Sequence, residues 1–597
     1  MSEIVTTPST NLFKALLGYL RPQTPWVVLG ALALSLQSYI QVAIPYVIKK
    51  LIDGLEQGIG RFELYTDCAY ILLLALGAGV MLFLGRWFII GSSRRIEKQL
   101  RDDLFGHVLR MTPGFFHQMK TGDLITRFAS DIEAVRLLVG PGLMYPTQFS
   151  LLMIMAFTAM VWLNAGLTLI ILGPVIALLL YVNFLTRRLH TVYRQAQDIY
   201  STMADRVQEN LSGIRVVKAY CQEEQEFERF RAVNDRYVER NLEQIKLRSR
   251  LFPFMRLVGG VGIVLILWFG GLRVINGAMT LGDLVQFALY YQMLMMPIIA
   301  LGWIINVIHR GVASWRRIRA LLETQPDIGD SPLSAKAQEE TEVLEGRVEV
   351  RNLTFRYQEN MQPVLRNISF SLEPGQTLAI VGPTGCGKTT LVNLLLNLFP
   401  VPRGHIFFDG RDINDIPRAT LRHSIAYVSQ EVFLFSDSIR NNVLFGVGEG
   451  EEIENGLLDD ALTRAKLGEE IEQFTDGLET EVGERGITLS GGQKQRTGIA
   501  RALILQRPIL ILDDCLSAVD TDTEEAILKG ISQDIGSATT ILISHRISTV
   551  KNADRIIVLD DGVIVEEGNH ETLLEHEGLY ARIHRRQLLE ESLGIRS

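Results

Sequence analysis

The chain has 597 residues, 47% hydrophobic and 21% charged, with a mean hydropathy of +0.18. That length exceeds a single soluble core, the positive hydropathy excludes a wholly soluble chain, and the apolar content excludes disorder. The net charge of −8 conceals an asymmetry: residues 1–330 carry 33 Lys+Arg against 25 Asp+Glu, a net of +8, and the remainder 26 against 42, a net of −16. Two bodies in different surroundings are therefore expected, and the acidic half argues against nucleic acid as a partner. The four cysteines cannot build a disulfide framework, and none has C-x-x-C zinc spacing.

In chain order, Leu12–Leu20 reads as a short amphipathic interfacial helix. Six apolar stretches follow, near Trp26–Ile48, Ala69–Ile90, Val139–Leu163, Leu167–Leu185, Leu257–Ile275 and Leu284–Ile308. Each is close to the roughly 20 residues that span a bilayer as helix. The first follows a polar leader without a basic n-region, so it is not a cleaved signal peptide. The segments after spans two and four are long and basic, with eight Lys/Arg in residues 91–138 and fourteen in 186–256. The basic-side rule puts both segments and both termini in the cytoplasm. Arg94–Met111 and Arg187–Asn210 have helical periodicity, so the spanning helices are expected to continue beyond the membrane. Polar breaks at Phe116–Asp123 and Ser212–Gln225 are expected to be tips that dock the acidic half.

Polar residues within the spans are Gln37, Gln41, Gln148, Asn183, Gln286, Gln292 and Asn306, near Tyr39, Tyr290, Tyr291 and methionines 293, 295 and 296. They read equally as helix–helix glue or as a substrate-lining surface. Residues 318–345 read as a polar linker holding Pro326 and Pro332. The expected divisions are an N-terminal segment 1–25, a transmembrane domain 26–317, that linker, a nucleotide-binding domain 346–585 and a tail 586–597.

After the linker, short β-rich runs alternate with helical ones, an α/β pattern. Strand Thr377–Val381 is followed by Gly382, Pro383, Thr384, Gly385, Cys386, Gly387, Lys388 and Thr389, and then by a helix from Thr390. This is G-x-x-x-x-G-K-T in its strand–loop–helix setting. Backbone N–H groups and a helix N-terminus would cradle phosphate, Lys388 would reach the β/γ-phosphates, and Thr389 would offer its hydroxyl to Mg²⁺. Cys386 is a spacer in that loop. Leu489, Ser490, Gly491, Gly492 and Gln493 open another helix with phosphate-contact chemistry. One P-loop does not need this second element, so a second nucleotide site is implied. Strand Ile509–Asp513 ends in a carboxylate suited to magnesium, followed by Asp514.

On these residues the acidic half resembles the ATPase domain of ABC transporters, and Leu489–Gln493 matches that family's signature. The resemblance implies further roles. Tyr357 would stack on adenine, and Gln430 would be the Q-loop glutamine at Mg²⁺. Glu484 and Arg485 would belong to the exporter-type segment, Ser517–Asp520 to the D-loop (Asp520 at its end), and His545 would be the switch histidine. Asp514, His545 and Gln430 form the implied catalytic set, and Thr389, Gln430 and Asp513 the implied metal set. Six spans ahead of one such domain resemble a type IV half-transporter, similar to bacterial multidrug-resistance-like subunits of the MdlA kind. The implied fold is an all-α transmembrane domain followed by a P-loop α/β domain with a helical signature subdomain. The implied activity is ATP-driven export of a hydrophobic or amphipathic substrate across the cytoplasmic membrane, with ATP and Mg²⁺ bound and a second half-transporter as partner. In such dimers ATP lies between one chain's P-loop and the other chain's signature.

One residue departs from the family pattern. Asp514 stands where glutamate is usual, one methylene shorter. The resemblance then implies a slow ATP site and favours the degenerate subunit of a heterodimer. The retained His545 weakens that reading. A homodimeric exporter or lipid flippase, and an ATP-gated channel or regulatory subunit, stay open.

Overall fold

The computed structural model describes residues 9–326, 343–448, 456–483, 486, 489–532 and 538–592. The chain forms two compact units. The first lies within the residues up to Thr324, apart from Met111–Gln118, and the second joins Met111–Gln118 to the part from Gln325 onward.

The first unit is helical: α1 Ser9–Leu20, α2 Thr24–Gln57, α3 Arg61–Leu109, α5 Thr121–Thr126, α6 Ile132–Val139, α7 Pro141–Ser212, α8 Ile214–Ala219, α9 Glu223–Ser249, α10 Leu251–Leu265, α11 Gly271–Ile275 and α12 Leu281–Glu323. The intervening α4, Pro113–Gln118, belongs to the second unit. Among the described residues, five continuous helical stretches are long and apolar enough to cross a membrane. One of them contains two of the expected spans, because α7 breaks at Asn164, whose backbone is extended at φ −163° and ψ 99°. The Asn164 amide oxygen accepts from Leu167 N at 3.0 Å and restarts the helix as a cap would. Arg273, in the last turn of the fifth span, donates to the same oxygen.

As expected, the helices run well past the apolar stretches. The expected tip Phe116–Asp123 covers the end of α4, a break and the start of α5, so the short helix there begins earlier than expected; Ser212–Gln225 contains the short helix α8. The expected linker start is corrected by the structure. Helix α12 continues to Glu323, because Ile318 and Leu321 are buried on its inner face while Arg316 is exposed on the opposite one.

The intramembrane polar residues divide. Gln37, Gln148, Gln286, Tyr290 and Tyr291 are buried between helices. Gln148 donates to Gln37 at 3.2 Å, and Gln286 donates to the Tyr290 hydroxyl at 2.9 Å. These act as glue. Tyr39, Asn183, Gln292, Met296 and Asn306 are exposed on the chain.

A π-helical turn, Arg127–Asp131, precedes α6 and aims Asp131 inward. Asp131 is 3% exposed, accepts from Arg317 Nε at 2.9 Å and from Ser314 Oγ at 2.8 Å, and so ties this turn to α12. Burial would raise the Asp131 pKa, but the bonds from Arg317 and Ser314 outweigh it and hold the carboxyl below its ordinary value. A hydrogen bond to a charged group contributes about 1.5–3 kcal/mol. Asp131→Asn is therefore expected to lower the apparent melting temperature of the detergent-purified chain by several degrees. An unchanged melt, followed by tryptophan fluorescence, would show that the tie contributes nothing.

The second unit has two sheets. Strands β1 (Val348–Phe355), β2 (Leu365–Leu372), β4 (Ile406–Phe408) and β5 (Arg411–Asp412) form an antiparallel sheet in the order β2-β1-β4-β5. Strands β3 (Thr377–Val381), β6 (Ile425–Val428), β7 (Ile509–Asp513), β8 (Thr539–Ile543), β9 (Arg555–Asp560) and β10 (Val563–Gly568) form the second, in the order β10-β9-β3-β8-β7-β6. It is parallel except for β10. The central strands are buried on both faces. Leu378 and Ile380 enter one apolar cluster, while Ala379 and Val381 enter the other. Alternation along a strand accounts for this, and for the lack of polar residues in these runs.

Candidate active site

Parallel strands place their loops at one edge of the sheet, where ligands of open α/β folds bind. From β3 through β8 and β7 to β6, the C-terminal ends carry in spatial order the P-loop, His545, Asp513 with Asp514, and Gln430. Residues far apart in sequence thereby become neighbours.

The P-loop turns on Gly385 and Gly387, with φ of +86° and +105°, and leads into the helix Lys388–Leu395. These conformations favour glycine and leave successive N–H groups pointing inward. Lys388 Nζ donates to the carbonyls of Gly382 and Pro383, each at 2.8 Å, which holds the ammonium over the loop. Cys386 Sγ lies 3.7 Å from the same ammonium and is buried. Tyr357 is 42% exposed, and its hydroxyl is bonded to Thr390 Oγ1 at 2.9 Å. Its ring packs edge-on against Phe355 and Phe399, with centroids at 5.1 Å in each case. Phe399 also stacks on His117 of α4 at 6.5 Å. The arrangement offers a firmly backed aromatic face beside the loop.

Asp513 is 1% exposed. Its Oδ1 lies 3.5 Å from Thr389 Oγ1, and its Oδ2 has no hydrogen-bond partner among the described residues. Burial pushes this carboxyl above its ordinary pKa, with the Asp514 charge adding to the rise and the Thr389 hydroxyl and Lys388 offsetting part of it. A bare buried carboxylate oxygen beside a threonine hydroxyl fits a hard cation such as Mg²⁺. When bound, that ion supplies positive charge to nucleotide phosphates.

Asp514 has φ +48°, and its amide N donates to Ile543 O at 2.8 Å. Its carboxylate bridges two neighbouring strand ends. Oδ1 meets His545 Nδ1 at 2.8 Å, and Oδ2 accepts from Gln430 Nε2 at 3.2 Å. The Gln430 amide nitrogen is thus set against Asp514. The expected trio of Asp514, His545 and Gln430 is brought together.

The signature segment opens the helix Gly491–Leu503 with a capping box: Gln493 N donates to Ser490 Oγ and Ser490 N to Gln493 Oε1. The box uses the Gln493 N–H, and the first-turn N–H groups of Gly491 and Gly492 have no intrahelical acceptor. Leu489 is buried as an anchor. Glu484 and Arg485 lie outside the described residues.

Several partners were not foreseen from sequence. Gln495 donates to Ser517 Oγ at 3.1 Å and accepts from Ala518 N at 2.9 Å, joining the signature helix to the D-loop. Arg546 donates to Ser517 O and Val519 O and pairs with the buried Glu524, joining the D-loop to the histidine loop. Glu470 receives Gln493 and Arg496. Only the position of Arg546 next to His545 hinted at any of this. Asp520 caps the helix behind it, accepting from Thr523 N at 2.9 Å. Burial pushes the Cys515 thiol pKa up and keeps it protonated, consistent with packing. Cys68 and Cys221 are exposed.

A family model for the ABC transporter transmembrane region matches residues 27–298, and one for the ABC transporter matches residues 365–517. A probable multidrug resistance ABC transporter ATP-binding/permease protein of Bacillus subtilis, YheI, is 36% identical over 90% of this chain and 89% of its own length. The multidrug resistance-like ATP-binding protein MdlA of Escherichia coli is 34% identical over 95% of each chain. An ATP-dependent lipid A-core flippase of Syntrophus aciditrophicus is 32% identical over 98% of this chain and 96% of its own. Among solved structures, a bacterial Atm1-family ABC exporter with ATP bound superposes with a TM-score of 0.74, at 28% identity, covering 95% of this chain and 98% of that one.

Proposed function

This chain belongs to the ABC transporter family, as an exporter of the multidrug or lipid A flippase type, and on that premise we propose that it is one half of a dimeric pump whose own ATP site turns over slowly. The observation that carries the slow-site reading is Asp514. Its side chain is short, and both carboxylate oxygens are already engaged, one by His545 and one by Gln430. A group that must position water therefore sits back from the P-loop.

In this reading ATP binds on Tyr357 and the loop from Gly382 to Thr390, with Lys388 at its outer phosphates. Thr389, Asp513 and Gln430 hold Mg²⁺, and Asp514 with His545 faces the reacting phosphate. The segment Leu489–Gln493 serves the companion chain's nucleotide, with Asp520 beside it. A companion with glutamate after its own β7-equivalent strand completes a heterodimer. Both tips, α4 and α8, and both termini lie in the cytoplasm, and the chain sits in the cytoplasmic membrane. Closure of the ATPase domains turns the cavity outward, and hydrolysis resets it. The substrate is hydrophobic or amphipathic. A homodimer is the second reading, favoured by the complete contact set around Asp514.

The test is uphill accumulation of an amphipathic dye in inverted vesicles containing the chain and its companion. Accumulation is expected with ATP and Mg²⁺ and absent with a non-hydrolysable analogue. Equilibration of the dye with the analogue alone would instead make the protein a nucleotide-opened gate.

A further inference from the structure

On α12, Gln292, Met296, Trp303, Asn306 and Arg310 recur at helical spacing, share one face and are all exposed. A face with two amides and a guanidinium is costly against hydrocarbon, so it turns toward water or a polar ligand. Near the end of the span that leads to the ATPase domain, this face deepens into a cavity of about 120 Å³ between α6 and α12, walled by Ala134, Leu137 and Val307 and by Trp303, Asn306 and Arg310. Trp303 is fixed edge-on against Tyr145, with centroids at 5.4 Å. Further along the helix Arg317 is paired with Asp131 and Arg319 with Glu323, whereas Arg310 has no carboxylate or hydrogen-bond partner among the described residues.

The polar groups of this cavity are nearly all donors: an indole N–H, an amide NH₂ and a guanidinium, against the one amide oxygen of Asn306. Donors carrying positive charge beside an aromatic and aliphatic wall complement an anion on an apolar stem. The volume admits a headgroup but not an acyl chain, which would lie along the exposed face toward Met296 and Gln292. We propose that Trp303, Asn306 and Arg310 form a subsite for the anionic headgroup of an amphiphile. The proposal deepens the exporter reading by naming a substrate class, and rests on it for the route taken. Its test uses no nucleotide, so it fails separately from the pumping assay.

The full chain in nanodiscs is titrated with lysophosphatidic acid bearing a dibrominated acyl chain, a quencher of nearby indoles. Dibrominated monoacylglycerol and water-soluble glycerol 3-phosphate are the parallel arms. Saturable quenching by the lysophosphatidic acid is expected, and Trp303→Phe removes it. Arg310→Gln raises its midpoint about tenfold, the loss expected of one charge-assisted contact, and moves the neutral probe by less than about twofold. The retained response to the neutral probe shows that the variant is folded. Equal shifts for both acyl probes, no shift in either, or saturable quenching that survives Trp303→Phe would overturn the proposal. Competition by glycerol 3-phosphate as strong as by the lipid would reduce the site to one for simple phosphates and overturn the amphiphile assignment.

Discussion

Asp514→Glu in the purified chain is expected to raise ATP turnover about a hundredfold while leaving ATP affinity within about twofold. The added methylene moves the carboxylate outward by roughly 1.5 Å, one bond length, toward the place where water would be held. Lys388 and Tyr357, which would set affinity, lie elsewhere in the site and keep their bonds. One opposing effect is built into the backbone. Position 514 has φ +48°, a conformation that aspartate tolerates better than glutamate, so the variant gives up some stability. Phosphate release measured against ATP concentration decides the matter. Turnover unchanged within twofold would mean that Asp514 already positions water and that the slow-site reading is wrong.

The second large effect is expected at Gly492. A Cβ there would lie 3.1 Å from the Ala518 carbonyl oxygen, tighter than most real contacts, and a carboxylate would bring negative charge to an N-terminus suited to phosphate. Gly492→Asp should lower turnover by about a hundredfold or more, the cost of losing an oriented donor set at a reacting phosphate. Binding of a fluorescent ATP analogue to the P-loop of the same chain should change by less than about twofold, because Lys388 is bonded to its own loop and not to the signature helix. A parallel fall in binding and turnover would mean that the signature serves its own chain's nucleotide or that the domain has unfolded. A melting curve separates those two cases.

Much of the site was legible because its residues sit where regular elements end. Strands Thr377–Val381 and Ile509–Asp513 have the expected limits, since an unbroken buried run bounded by glycine or acid leaves little choice. Helix ends were less legible. A polar linker was expected from residue 318, yet Ile318 and Leu321 keep one face apolar and carry the helix to Glu323. The facing of polar residues in the spans was not legible at all, because burial of Gln286 and exposure of Gln292 depend on which helices lie alongside. Glu470 and Gln495 gave no signal either. Their value lies in partners 20 or more residues away, chosen by packing of the helical subdomain.

The amide of Gln495 has a consequence for timing. With one end on Ser517 and the other on Ala518, it makes the signature helix and the following loop a single stiff lever. If two such halves face each other, a push on the helix start in one cleft is delivered undiluted to the loop bordering the other. The clefts would then be unable to empty independently, and a slow cleft would hold the loop of its faster neighbour until it opened.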